Sequence, residues 1–529
     1  MLKFFSSIQH DSALIGCRVD SARGSTPPSA MSMMDGDWGY PGDGMDQDLM
    51  YAEMQDDMEP GEYYGDDEYG YYYDDEDDMD VYTRIPFSDL LDQCVLPTLE
   101  QATSSLAPLL GICFAFRITY LLYGGESKEE SFLHIPPRLI HIGSILVGMT
   151  ATHMFFQGSM LYLVSLILLT YALLVVANRL HVVLGPLVAI VTVVYLLTCE
   201  LFVVEPTEWH RIRGPQMVAA MKIISLGFDL DQNGIHELPS IIQFSGYIFH
   251  PGTVIFGPWM SFQEYINLDF HAKKKMSPWW CLKLFKSYCL AMFSVTMSTC
   301  LIPWFILDSW GKWSIAYRDA MAFRFSHYFI SYTSELTATM TAIGASRSNG
   351  DIKWDLSVTK PLHMEFPRSL VEVVTNWNIP MHHWLKTYVF KTAKVWGNFP
   401  AIILTYAASS LLHGLNFQLS AVLLSLGFYS YIEYVLRAKL SKVFDACIQA
   451  KRCRDCSHTY TARHPYVVLG NIGLGLMSVF HLAYLGLMFD SSEQEEQGYT
   501  MQHTLGKWGA LDYASHILAA SMFVFHLLI

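Results

Sequence analysis

Long apolar runs alternate along the chain with short polar interruptions. Runs near the roughly 17–25 residues that cross a bilayer lie at about 104–123, 137–156, 158–178, 181–204, 281–305, 319–343, 398–418, 419–437, 465–489 and 511–529. Two further runs, 213–228 and 238–262, carry glycine and proline and are expected to span, re-enter or lie in the interface. In lipid, backbone groups must be satisfied internally, and helices do this within one segment. The pattern predicts an all-α polytopic membrane protein with roughly 10–12 membrane segments, some of them re-entrant or interfacial helices. Residues 344–397 break the pattern, being too polar to span. There Trp, His, Lys and Arg alternate with apolar residues, as in helices lying at a membrane interface. Long connections of this kind are often functional.

Composition sharpens the division. Of 529 residues, 52% are hydrophobic and 16% charged, against about 25% charged in soluble proteins. Residues 35–80 hold 19 Asp and Glu and no Lys or Arg, so a net charge of −16 leaves +3 on the rest. Residues 1–83 are read as a disordered acidic tail, either a solvated charge run or a surface for a basic partner. Residues 84–529 are read as the membrane-embedded domain. No apolar core precedes a small-residue cleavage site near the N-terminus, so targeting is expected to fall to the first internal span.

Two basic loops set the orientation: HAKKKM at 271–276, and 437–464. The positive-inside rule assigns both to the cytosol. Alternation from 281–305 onward agrees with both and brings the C-terminus to the cytosol. The side of the N-terminus stays open, because 213–228 and 238–262 are ambiguous.

Polar motifs within this frame have competing readings. The ten cysteines suggest no disulfide framework, and Cys113, Cys199, Cys289 and Cys300 read as core thiols of apolar helices. GFDLDQNGIHELPS (227–240) begins like a calcium loop, but its twelfth position is Ser240 where a bidentate Glu is required, so a polar turn is expected. Cys447, Cys453, Cys456, His458 and His464 have spacings that fit zinc, yet reduced or acylated cytosolic thiols fit them too. Cys281, beside the KKK run, is a plausible acylation site or a plain juxtamembrane thiol.

Two apolar helices carry histidine. In 319–343, Arg324, His327, Ser331, Ser334 and Glu335 share one face, which either lines a wet cavity or pairs internally to cement the bundle. In LTYAASSLLHGLNF (404–417), Tyr406, Ser409, Ser410, His413 and Asn416 share a face. His413, 15 residues beyond Asn398, is expected about 22 Å along the helix axis. Desolvation at that depth favours a neutral ring able to accept a proton, and Gly414 allows close approach of another group. By itself this histidine reads as either structural or catalytic.

Taken together, NWNIPMHHWL with Asn378 and YAASSLLHG with His413, 35 residues later, resemble the membrane-bound O-acyltransferase family. SLGFDLD, VIFGPWMSF, WDLSVTKPL, FPRSLVEVVTNWNIP and HLAYLGLMFD resemble the member that acylates Wnt proteins. The resemblance covers about residues 86–529 and leaves out the acidic tail.

That resemblance implies transfer of a palmitoleoyl group from its coenzyme A thioester to a serine hydroxyl of a Wnt protein in the endoplasmic reticulum membrane. His413 is implied as the general base, and Asn378 as the group that stabilises the oxyanion or orients the acyl chain. Trp377, Tyr406 and Ser409 are candidates to line the acyl and peptide path. Acyl-CoA is expected as substrate, with no bound cofactor and no metal. The expected partners are the Wnt acceptor and the bilayer, not nucleic acid. Two other readings stay open: an acyltransferase with a lipid acceptor, and a transporter lined by Arg324, His327, Glu335 and His413. No internal repeat favours the transporter.

Overall fold

The computed structural model describes residues 84–122, 137–232, 234–267, 276–348, 351–453, 457–489 and 500–529. The acidic tail, residues 271–275, the acidic loop at 491–496 and Cys456 lie outside the described residues. In chain order the main helices are α1 (Leu96–Leu122), α2 (Pro137–Phe156), α3 (Met160–Arg179), α4 (Leu184–Thr198), α5 (Pro206–Asp231), α6 (Ile241–Ile248), α7 (Pro278–Thr296) and α8 (Lys312–Met340). An antiparallel hairpin, β1 (Ala345–Ser348) with β2 (Asp351–Trp354), follows in the register Ala345 opposite Trp354. Then come α9 (Leu370–Trp377), α10 (Ile379–Trp384), α11 (Asn398–His413), α12 (Phe417–Val443), α13 (Pro465–Gly486), α14 (Met501–Ala510) and α15 (Ala514–Leu528).

Among the described residues, six helical stretches are long and apolar enough to cross a membrane, or seven if α14 and α15, bent by 76°, count as one. One stretch, Arg138–Arg179, has 42 residues and is a hairpin of α2 and α3. Both of its ends meet the region of α6: Ser144 donates to Gly246 O, and Tyr171 to Pro239 O. The packing is inverted relative to a water-soluble protein. Phe202 is 83% exposed and Leu161, Ile190 and Leu469 face outward, while Arg117, Lys222, Glu433 and Arg437 are buried. An apolar exterior suits lipid, and polar groups then need partners inside. Lys222 Nζ finds them in Tyr247 O (2.8 Å), Ile248 O (3.3 Å) and Thr253 Oγ1 (2.8 Å).

Contacts between helix ends agree with the alternation read from the basic loops. Trp280, starting α7, donates to Thr339 O, ending α8. Lys439 near the end of α12 donates to His526 O near the end of α15. At the opposite end, Lys312 meets Ala510 O and Asp512.

Several expectations are corrected. Cys300 is not a free core thiol but forms a disulfide with Cys94. Beside it, Arg84 donates to Phe305 O and Trp304 to Ile85 O. The described chain therefore begins at the end of α7 remote from residue 276. The charge rule that assigns the basic loop to the cytosol assigns this end to the other side of the membrane, where an oxidising compartment would let a disulfide persist. The segment 238–262 re-enters. Ser240 and Gln243 form a capping box, and the chain turns back through 249–258 until Tyr265 meets His141 near the start of α2. A Cβ on Gly148 would lie 1.6 Å from Phe249 O, so only glycine lets α2 pass this turn.

The expected spans 398–418 and 511–529 also change. The first stops at His413, where Gly414 takes φ +97°, and the second is the bent pair. Residues 344–397 lie only partly at a surface. Phe366, Val395 and Trp396 are exposed. Between them Leu370 N donates to Glu433, Trp384 Nε1 to Met221 O, and Tyr388 OH to Asp229. The segment is threaded between α5 and α12, because its polar groups find partners on buried helices.

Candidate active site

The polar row of α11 divides along its length. Tyr406 lies against α12, where a Cβ on Gly427 would come within 2.7 Å of its ring. Ser410 Oγ meets Ser420 Oγ. Both residues close the α11–α12 pair, and Ser409 is buried beside them. Asn416 leaves the predicted face altogether, because its side chain accepts from Leu419 N and caps α12.

His413 ends the helix. The turn beyond it is held by Glu200, whose two carboxylate oxygens accept from Leu415 N at 3.0 and 2.9 Å. A Cβ on Gly414 would lie 2.6 Å from Glu200 Oε1, so glycine is required there for both conformation and space. The His413 imidazole is within electrostatic reach of Arg213 on α5 and His327 on α8.

Asn378 arrives from the threaded segment. Trp377 closes α9, and Asn378 opens α10 with its Oδ1 accepting from Met381 N at 3.1 Å. That cap leaves the Nδ2 amide as the group with protons to donate. The turn is tied to α8 through Val358, whose N–H donates to Glu335 Oε1 and whose carbonyl accepts from Ile379 N. Met381 and Trp384 share an apolar cluster with Leu412, Trp209 and Ile212. The neighbours of Asn378 and of His413 are therefore packed together.

Trp377 completes the connection. Its ring stacks on His327, with centroids 4.4 Å apart and planes at 15°. His413, His327, Trp377 and Asn378 are each partly exposed within a helical bundle, as suits side chains that line a passage rather than fill a core.

The charged residues of the α8 face have a different role. Arg324 grips Glu365 with two bonds of 2.9 and 2.8 Å, and Tyr328 adds a third at 2.7 Å. Glu335 takes Lys283 at 2.6 Å. These are cementing pairs with partners on other elements, not with one another. His327, on the same helix face, instead stacks on Trp377 beside Asn378. Its signal was its place on a polar face of a span. Glu200 and Arg213 gave no signal, since each lies at the edge of an apolar run.

Among the described residues neither motif gathers metal ligands, and Cys456 lies outside them. Asp229 accepts from Tyr388, and Asp231 accepts from Leu184 N and Gly185 N. His458 Nε2 meets Ser441 Oγ. Among the described residues no group of three metal-ligating side chains stands together. An imidazole can take a proton from a hydroxyl, and an amide can donate to an oxyanion.

Residues 148–444 match the membrane-bound O-acyltransferase family. The chain belongs to this family of acyltransferases. It is 40% identical over 467 residues to the mouse protein-serine O-palmitoleoyltransferase porcupine, covering 84% of this chain and 98% of that protein. The Drosophila melanogaster protein of the same name is 31% identical over 83% of this chain and 86% of its own length. More remotely, lysophospholipid acyltransferase 1 of Arabidopsis thaliana is 25% identical over 42% of this chain and 57% of its own. The acyltransferase is thus a multi-pass membrane enzyme, and a transporter reading has no further support.

Proposed function

We propose that the enzyme transfers a palmitoleoyl group from its coenzyme A thioester to a serine hydroxyl of a Wnt protein in the endoplasmic reticulum membrane, so that the acceptor can be secreted and can signal. The observation that carries this reading is the joint packing of the His413 and Asn378 turns, in a chain 40% identical to a protein-serine O-palmitoleoyltransferase.

His413 takes the proton of the serine hydroxyl as that oxygen attacks the thioester carbonyl. Asn378 Nδ2 donates to the developing oxyanion. Collapse breaks the C–S bond, and the departing thiolate takes the proton from the imidazolium. One ester bond forms and one thioester bond is lost. Trp377 borders this centre through His327. Ser409 and Tyr406 lie one and two turns back along α11, where the acyl or peptide path would pass. Acyl-CoA is cytosolic and the acceptor lumenal, so the reaction requires a meeting point within the membrane. His413 lies 15 residues from the cytosolic end of α11, about 22 Å along its axis.

A lipid acceptor is the second reading, favoured by the similarity to lysophospholipid acyltransferase 1. The products differ. Mass spectrometry of a Wnt protein coexpressed with the chain, or with its His413→Ala variant, should find acyl-serine only with the unaltered chain. Acyl-lipid without acyl-serine would transfer the assignment to the lipid reading.

A further inference from the structure

The Lys283–Glu335 pair does more than join α7 to α8. Lys283 Nζ donates to Glu335 Oε2 at 2.6 Å and also to Leu356 O at 2.7 Å. The other carboxylate oxygen, Oε1, accepts from Val358 N at 2.8 Å. One ion pair therefore grips a backbone carbonyl and a backbone amide two residues apart. Glu335 and Val358 are both buried, which strengthens these charge-assisted bonds and holds them in one geometry. The gripped segment lies against the turn that carries Asn378. Val358 O accepts at 2.8 Å from the N–H of Ile379, the residue after Asn378. Asn376 O, two residues before it, accepts from Lys360 N at 3.1 Å and from Thr359 Oγ1 at 3.3 Å. Asn378 thus sits between two backbone anchors, and both belong to residues 358–360. Its own side chain is fixed by the cap on Met381 N.

We propose that Lys283 and Glu335 are positioning residues for Asn378: their ion pair fixes segment 356–360, which holds the backbone on both sides of Asn378 and so aims its Nδ2 at the oxyanion. This inference rests on the acyl-transfer reading above. An oxyanion donor acts through placement, since it must meet the oxygen where charge develops. An error of about 1 Å can cost about 100-fold in rate. A short turn between two short helices does not hold such a placement alone. The bonds from Lys283 and Glu335 tie it to α7 and α8, two long helices of the bundle. A buried ion pair gives little net stability relative to apolar residues of similar volume, so stability alone does not account for a pair at this point. Its bonds to Leu356 and Val358 do.

The test uses the purified full chain and replaces both partners together. Lys283→Met with Glu335→Leu removes the charges with little change in volume, which buried pairs tolerate, but leaves Leu356 O and Val358 N without these partners. Transfer from palmitoleoyl-CoA to a Wnt serine peptide gives kcat and both KM values. The double replacement is expected to lower kcat about 10–100-fold, as loss of a supporting bond behind a functional group does. Both KM values should stay within about twofold of the unaltered chain, and the melting temperature should not change. Added to Asn378→Ala, the double replacement is expected to lower kcat no further, because the pair acts through that side chain. An unaltered kcat, a change confined to KM, or losses that multiply with Asn378→Ala would overturn the proposal. If the double replacement does not fold, Glu335→Asp carries the same comparison, since a carboxylate one methylene shorter no longer reaches both Val358 N and Lys283. The same outcomes then decide it. Failure of the acyl-transfer reading would overturn both inferences and looks different: the unaltered chain would transfer nothing to the peptide, or would transfer as fast as its His413→Ala variant.

Discussion

Helices α8 and α11 both set a histidine and a row of polar groups into a membrane bundle, yet they use them differently. On α8 the charges are matched by other elements: Arg324 by Glu365, Glu335 by Lys283. On α11 no side chain is charged. Its small polar groups serve close packing, with Tyr406 against Gly427 and Ser410 against Ser420. The row then ends at His413, where the backbone turns. A polar face in a membrane helix thus has two possible uses, and the location of its partners distinguishes them. Where each group finds a counter-charge, the face is cement. Where the row ends on a histidine at a break in the helix, as at His413, it leads to the base of the proposed mechanism.

This contrast predicts graded losses. Replacing His413 by Ala should reduce acyl transfer about 10²–10⁴-fold with insertion and yield unchanged. Retention of a tenth of the rate would remove it as base. Arg324→Ala should act through stability instead. It strands Glu365, and breaking a buried pair in this way costs about 3–5 kcal/mol. The expected result is a clearly lower melting temperature in detergent. An unaltered melting curve with lost turnover would move Arg324 to the site.

Gly414→Ala should cost about 1–3 kcal/mol from backbone strain and push against Glu200. Here turnover should fall more than thermal stability, because the strained turn directly follows His413. The smallest effect is expected from deleting residues 1–83, which lie outside the resemblance to the family. Transfer per folded enzyme in microsomes should be unchanged, and a loss would give the tail a role in catalysis.

The disulfide tests the frame in which both helices are oriented. Cys94 and Cys300 should react with a membrane-impermeant thiol reagent only after reduction and only from the lumenal side. Cys453, in the basic loop, should react from the cytosol of sealed microsomes. The opposite pattern would reverse α11 and with it the directions from which donor and acceptor approach.

Much of the fold was legible in the sequence because lipid imposes a simple rule. Apolar runs of bilayer length must be helices, and basic loops orient them. The runs at 137–156 and 158–178, for example, were recovered almost to the residue as α2 and α3. The candidate site was legible in part. His413 and Asn378 could be picked out, but not the turn at Gly414 or the capping role of Asn416, because periodicity carried the helix past its true end.

By itself, the sequence determined that this chain is a polytopic helical acyltransferase and which histidine and asparagine to consider. Hydropathy and local motif are written along the chain, and both can be read without knowing what lies beside what. Only the tertiary structure decided that Cys94 pairs with Cys300, 206 residues away, that Glu200 supports the turn after His413, and that His327 stacks on Trp377. These are encounters between segments remote in sequence. Their geometry is fixed by how the helices cross, which no local pattern encodes.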